Sequence, residues 1–248
     1  MESALQTVNT MHRAGEAAKA RLLRDLNLRV RVDLRPTEFL ETISRTSKKG
    51  ILPEMSADAG PISPKESAYI VLEDEDGVVA ATVAARVFNC YRNGFTRMLS
   101  NLYSTHYANG ADAFNTRDIP PVFSEISGLA CYVGEFHFEP QWRRKIDISD
   151  LSAIAYCEAY RRFLPDWYFG FTRAKHARAG LAARYFGSRT FPNALQWEVQ
   201  NPVRWNSDWF VCSTIGEIEF AMRRYFLDTN VDAPLPTPTL EAALPTSS

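Results

Sequence analysis

Three ionisable side chains, Glu135, His137 and Glu139, alternate with phenylalanines at the end of an apolar run. Residues 126–139 read as a strand, and positions i, i+2 and i+4 of a strand share one face. A histidine between two carboxylates can serve as a general base near neutral pH, provided burial offsets the pull of its neighbours toward the protonated form. The same three residues would also line the exposed face of a strand end without any chemistry. Glu125, near the start of the run, is a weaker candidate of the same kind. A basic turn follows, Pro140-Gln141-Trp142-Arg143-Arg144-Lys145, and then a helix expected over residues 149–164. Arg143, Arg144 and Lys145 stand just before the free N–H groups of that helix, which begins at Ser149, so the segment suits a phosphate. A solvated basic turn is the alternative.

The elements that must position these groups can be read from pattern. Leu28, Val30, Val32 and Leu34 alternate with charged residues, as in a half-buried strand. Pro36-Thr37-Glu38 opens a short helix carrying Phe39, Leu40 and Ile43. Residues 47–66 form a long loop, of a length that is often functional or mobile. A hairpin follows, with strands at 68–72 and 78–90 and the Asp76-Gly77 signal in its turn. Phe95, Met98, Leu99, Leu102 and Tyr103 fall at helical spacing, and residues 109–121 are a second loop. After the 126–139 strand and the 149–164 helix come a strand at 166–172 and a helix at 175–187. Two more strands are expected at 193–199 and 208–212, separated by a turn through Asn201-Pro202. Thr214 and Glu217 form a capping box that opens a last helix. Residues 1–27 read as a polar helix with a thin apolar stripe, whose default is a frayed arm and whose alternatives are docking or a dimer contact. The expected division is an extension at 1–27, a domain at 28–227 and a disordered tail at 228–248.

Strands joined first by a hairpin and later by helical crossovers imply an α/β fold: a mixed, mostly antiparallel central sheet with helices on both faces. A net charge of −1 gives no reason to expect nucleic-acid binding. No segment approaches the roughly 18–20 apolar residues of a membrane span. Cys90, Cys131, Cys157 and Cys212 form no C-x-x-C pair and read as reduced core thiols of a cytoplasmic protein. His106 and His176 have no partners at ligand spacing, so no metal is expected. The absence of G-x-S-x-G, P-loop and G-x-G-x-x-G motifs leaves hydrolase, NTPase and dinucleotide readings without support.

The order of elements resembles that of the GNAT acyltransferases over residues 28–212, with 94–121 as an insertion and 214–227 as an added helix. The resemblance implies that the unit from 126 to 187 holds an acyl thioester. The family motif R/Q-x-x-G-x-G/A would fall on Arg143-Arg144-Lys145-Ile146-Asp147-Ile148, where isoleucines replace both small residues. Glycine there lets the backbone approach phosphates without a Cβ in the way. The resemblance further implies Tyr185 as the acid that protonates the leaving thiolate; core packing of Tyr185 is the alternative. It also implies acyl-CoA or acyl-carrier protein as co-substrate, an amine as acceptor, Glu135 or His137 as base, and no permanently bound cofactor. Loops 47–66 and 94–121 would shape the acceptor or acyl pocket. Trp197, Trp205, Trp209 and Phe210 would wall an acyl pocket or fill the core. The reading of another class is a GNAT-shaped binding or regulatory module without catalysis. An apolar tunnel between the strands at 126–139 and 166–172 would favour the enzyme, and Ile146 or Ile148 filling the phosphate site would favour the module.

Overall fold

In the computed structural model, which describes residues 2–33, 35–57, 61–199 and 206–229, the apolar hairpin strand Ala68-Tyr69-Ile70-Val71-Leu72 serves two cores at once. Ala68, Ile70 and Leu72 face one hydrophobic cluster, and Tyr69 and Val71 face the other, as the twofold period of a strand requires. This is a sheet covered on both faces. Its elements, in chain order, are α1 (Glu2–Leu26), β1 (Arg29–Asp33), α2 (Pro36–Ser44), β2 (Ser67–Glu73), β3 (Val79–Asn89), α3 (Gly94–Tyr107), β4 (Leu129–Phe138), α4 (Ile148–Phe163), β5 (Trp167–Thr172), α5 (Ala174–Arg178), α6 (Leu181–Arg184), β6 (Arg189–Phe191), β7 (Trp209–Thr214) and α7 (Ile215–Thr229). The seven strands lie in the order β1-β2-β3-β4-β5-β7-β6. Every pairing is antiparallel except that of β4 with β5.

The first cluster joins that sheet face to α1, α4 and α7; the second joins the other face to α2 and α3. The α/β fold with a mixed, mostly antiparallel sheet is therefore as expected, and β1, α2, the hairpin, β4, α4 and β5 fall where the pattern placed them. The capping box forms too: Glu217 Oε2 accepts from Thr214 N at 2.7 Å, and Glu217 N donates to Thr214 Oγ1 at 3.3 Å.

Several local expectations give way to backbone conformation. The helix expected at 175–187 is two short helices, because Gly180 takes φ +77° between them. The strand expected at 193–199 is absent: Asn193 turns the chain at φ +50°, and only a single bridge joins Trp197 to Phe114. The edge strand is instead Arg189-Thr190-Phe191. Phe95, Leu99 and Tyr103 of α3 bury against the sheet, and no residue of 94–121 lines the cleft between β4 and β5. Leu34, the Asn201-Pro202 turn, Trp205 and the expected tail from residue 230 lie outside the described residues.

The N-terminal helix is not a frayed arm. Met11, Ala14, Ala18 and Leu22 are buried in the first cluster, so most of the stripe offered as a dimer contact is covered within the chain, while Leu5 at its start stays exposed. Gly15 sits so close to α4 that an added Cβ would stand 2.6 Å from both Cβ and Sγ of Cys157. Arg21 and Tyr225 meet the buried Asp150, which ties α1, α7 and α4 together. Gly15→Ala should therefore destabilise the fold: overpacking of about 1–3 kcal/mol outweighs a helix-propensity gain of at most about 1 kcal/mol. A lowered urea midpoint in a single transition is the expected result; a midpoint unchanged or raised would mean that α1 is not seated in this core.

Candidate functional site

The parallel pair β4–β5 makes only three residue pairs, Ala130 with Trp167, Cys131 with Tyr168, and Tyr132 with Phe169. Both strands then run on, to Phe138 and Thr172, without pairing with each other. Asp166 fixes the start of the fork: its Oδ2 accepts from Leu129 N at 2.8 Å, and its N–H donates to Leu129 O at 2.8 Å. At the vertex there is no room for a side chain on Gly170, where a Cβ would lie 2.9 Å from the carbonyl oxygen of Val133.

What drives the strands apart is a bulge in β4. Ala84 pairs with Gly134 and Thr82 with His137, so Glu135 and Phe136 together oppose Val83. Glu135 takes φ +62°, a left-handed conformation that is costly for a residue with a Cβ. A bulge of this kind bends its strand and re-aims side chains. The result is a cleft of about 220 Å³ lined by Val133, Gly134, Glu135 and Phe136 of β4, by Phe169 to Thr172 of β5, and by Tyr156, Tyr168 and Tyr185. Lys48 and Leu52, from the long loop after α2, and Arg173 and His176, at the end of β5 and in α5, also line it.

The carboxylate of Glu135 is buried and held from the loop side. Its Oε1 accepts from Leu52 N at 2.7 Å, and Lys48 Nζ forms an ion pair with Oε2 at 2.8 Å. His137 and Glu139 share this face, as alternation required, but not the cleft. His137 Nε2 is 3.0 Å from Glu139 Oε1 and 3.3 Å from Ser47 Oγ, and Glu139 Oε1 also accepts from Ser47 N at 2.6 Å. Burial works against the charge on Glu139, yet these bonds hold its pKa below the ordinary carboxylate value. His137 and Glu139 thus fasten the start of the loop, while Glu135 faces the opening.

Tyr185 lies at the C-terminal end of α6. Its ring centroid is 4.7 Å from that of Phe136, and Tyr156 Oη donates to its carbonyl oxygen at 2.7 Å. Burial pushes the Tyr185 hydroxyl up to about 12, so the phenol holds its proton across the physiological range. Sequence reasoning thus reached Glu135 and Tyr185 but missed Lys48, Arg173 and His176. Their place in the site comes from the fork, for which the sequence carries no local signal. The aromatic residues at the C-terminal end behave as core: Phe210 is fully buried, and Trp197 packs against Tyr103 and Phe114.

Past β4, the basic turn is exposed at Arg143, Arg144 and Lys145. Arg143 Nε donates to Phe138 O at 3.2 Å, and Lys145 Nζ sits 5.2 Å from the centroid of the Trp142 ring. Ile146 and Ile148 turn inward, 5% and 8% exposed, so they do not fill the face of the turn. The helix end is occupied by the chain's own carboxylate: Asp147 is the N-cap of α4, with Oδ1 accepting from Ser149 N at 2.8 Å and from Arg184 Nη2 at 2.8 Å. Burial would raise the Asp147 pKa, but the amide and the guanidinium keep it below the ordinary value.

With its antiparallel half, forked parallel pair and covering helices, the sheet is GNAT-like. No protein-family model and no curated protein matches the chain. Among solved structures it is similar to an N-acyl amino acid synthase from uncultured soil microbes, at 9% identity over 83% of this chain and 98% of that one, with a TM-score of 0.47. It is also similar to a spermidine/spermine N-acetyltransferase of Vibrio cholerae, at 8% identity over 77% and 95% with a TM-score of 0.41. A third is a phosphinothricin acetyltransferase of Sinorhizobium meliloti solved with acetyl-CoA, at 14% identity over 75% and 88% with a TM-score of 0.38.

The helix end yields a direct test. Asparagine caps as well as aspartate, so Asp147→Asn keeps α4 intact while removing the charge that competes with an anion. Pyrophosphate should bind the variant about fivefold more tightly by calorimetry, the equivalent of a favourable helix-terminus charge worth up to about 1 kcal/mol. Equal affinity in both proteins would place the anion away from this helix.

Proposed function

We propose that this chain is an N-acyltransferase that moves an acyl group from an acyl thioester, either acyl-CoA or an acyl-carrier protein, to an amine. The observation that carries the reading is the forked cleft lined by a buried carboxylate, Glu135, and a half-buried phenol, Tyr185. Its volume of about 220 Å³ lies below the roughly 300–1,000 Å³ of ordinary ligand pockets. That suits an extended arm rather than a whole nucleotide. Beyond Tyr132 the edge of β4 toward β5 has no strand partner, and an amide-bearing arm can add there as a strand would. Phosphopantetheine, which both donors carry, is such an arm. Its phosphate end would lie toward Arg143, Arg144, Lys145 and the start of α4 at Ser149, where exposed cations precede a helix.

In this reading Glu135 takes a proton from the acceptor nitrogen as that nitrogen attacks the thioester carbonyl. The C–S bond then breaks, and Tyr185 donates its proton to the departing thiolate. No covalent enzyme intermediate is needed, so positioning and proton transfer supply the catalysis. His137 acts indirectly, by holding Ser47 and the loop that carries Lys48 and Leu52. The chain would work inside the cell, in keeping with four buried free cysteines. One observation favours the second reading, a binding or regulatory module without catalysis: Asp147 already fills the helix end that a donor phosphate would use. The inward turn of Ile146 and Ile148 and the open cleft speak for the enzyme.

Thermal shift against acetyl-CoA, a long-chain acyl-CoA and an acyl-carrier protein separates the two. A donor at 100 times its Kd should stabilise the protein by about 2.7 kcal/mol, and thiol release should follow when amines are added. Binding without thiol release from any amine would select the module. Glu135→Gln should lower kcat by about a hundredfold to ten-thousandfold, the usual worth of a general base, with His137→Ala costing less. Because the Tyr185 hydroxyl is held near 12, the wild-type rate should stay level between about pH 8 and 10, where an ordinary tyrosine begins to ionise. A decline over that range that disappears in Tyr185→Phe would mean that the hydroxyl ionises near its ordinary value while serving as the acid, and a wild-type rate retained in Tyr185→Phe would remove Tyr185 from that role.

A further inference from the structure

Resting on the acyltransferase reading, we propose that the protein also acylates itself, at the ε-amine of Lys48. That amine is the one primary amine among the described residues that lines the cleft, and it stands 2.8 Å from Glu135 Oε2. It thus occupies the position that the proposed reaction requires of an acceptor nitrogen, beside the group that would take its proton. Lys48 is held there from both ends. The preceding residue is fastened to the end of β4, where Ser47 N donates to Glu139 Oε1 at 2.6 Å. Four residues on, Leu52 N donates to Glu135 Oε1 at 2.7 Å. The side chain is only 14% exposed, whereas the neighbouring Lys49 is exposed to solvent.

The geometry sets the first proton transfer: Nζ and Glu135 Oε2 are 2.8 Å apart, so a proton passes directly from the amine to the carboxylate. The neutral amine then attacks the thioester carbonyl carbon and the new C–N bond forms; as the C–S bond breaks, Tyr185 gives its proton to the sulfur and is reprotonated by the second proton the nitrogen sheds, and Glu135 returns the first to solvent. The product is an acyl-lysine amide at position 48, one free thiol and one released proton, with no net redox change. The amide cannot pair with Glu135 as the ammonium does, so acylation would also remove the loop's ion pair with β4 while the Ser47 and Leu52 bonds stay in place.

The test is peptide mass spectrometry of the full chain after incubation with acetyl-CoA, a long-chain acyl-CoA or an acyl-carrier protein, without added amine. Acylation at Lys48 should exceed that at Lys49 by at least about tenfold, against the order that exposure alone would give, and Glu135→Gln should abolish the excess. Equal labelling of Lys48 and Lys49, or equal labelling of Lys48 in wild type and Glu135→Gln, would overturn the proposal. An added small amine acylated while Lys48 stays unmodified would overturn it as well and leave the acyltransferase reading standing. Absence of donor binding, thiol release and acylation together would remove both.

Discussion

The structure depends on two neighbouring parallel strands that stay paired for only three residues. A sheet is most stable when its ladder runs to the strand ends, because unpaired backbone groups in the interior carry a desolvation cost of a few kcal/mol each. Here the ladder stops at Tyr132 and Phe169, and the cost is tolerated because the fork is held elsewhere. Asp166 ties its closed end, and Ile215 N bonds Asp166 O at 2.9 Å to bring β7 and α7 to the same point. On its other side each strand keeps a long antiparallel partner, β3 for β4 and β7 for β5. Opening the sheet in the middle therefore leaves two firm half-sheets and a cleft whose backbone wants a partner.

The helices determine what that cleft can hold. Tyr156 of α4 and Tyr168 of β5 meet edge to face at 4.8 Å and close the floor, and Tyr156 Oη fixes the end of α6 and with it Tyr185. α4 can occupy this place because α1 and α7 cover its outer side, with Gly15 permitting a close approach and Arg21 reaching the buried Asp150. A helix readable as a loose extension is thus part of what keeps the proposed acid in position. The chain of support runs from α1 through α4 to Tyr156 and on to Tyr185.

How much of this was legible depends on the range of the interaction. Alternation at Leu28, Val30 and Val32, the Asp76-Gly77 turn and the Thr214–Glu217 box act within a few residues, and each appears as its pattern implied. The face shared by Glu135, His137 and Glu139 was also a local inference, and all three are held from the same loop. The bulge was not legible, because nothing about Glu135 announces a left-handed backbone; β3 and the loop impose it. Nor was the role of Lys48, whose partner stands 87 positions later in the chain, a distance over which no periodicity speaks. Asp147 shows a subtler failure. Its identity as an N-cap is plain once α4 is known to begin at Ile148, but the reading that started the helix at Ser149 counted the turn's cations and overlooked the anion among them.

The two carboxylates at the ends of the site divide the electrostatic work. Asp147 is about half exposed and sits between an amide and Arg184, so its charge is screened and can be displaced at modest cost. Glu135 is buried with one lysine and one amide, and removing either partner would leave a charge with much less to offset its desolvation. Under the proposed function, an incoming anion at the helix would therefore displace an exposed carboxylate, whereas an incoming amine at Glu135 would replace an ammonium that is already in place. In the same reading, an acceptor that arrives as an ammonium would replace the charge of Lys48 beside Glu135, and a neutral one would leave that carboxylate without a counter-ion.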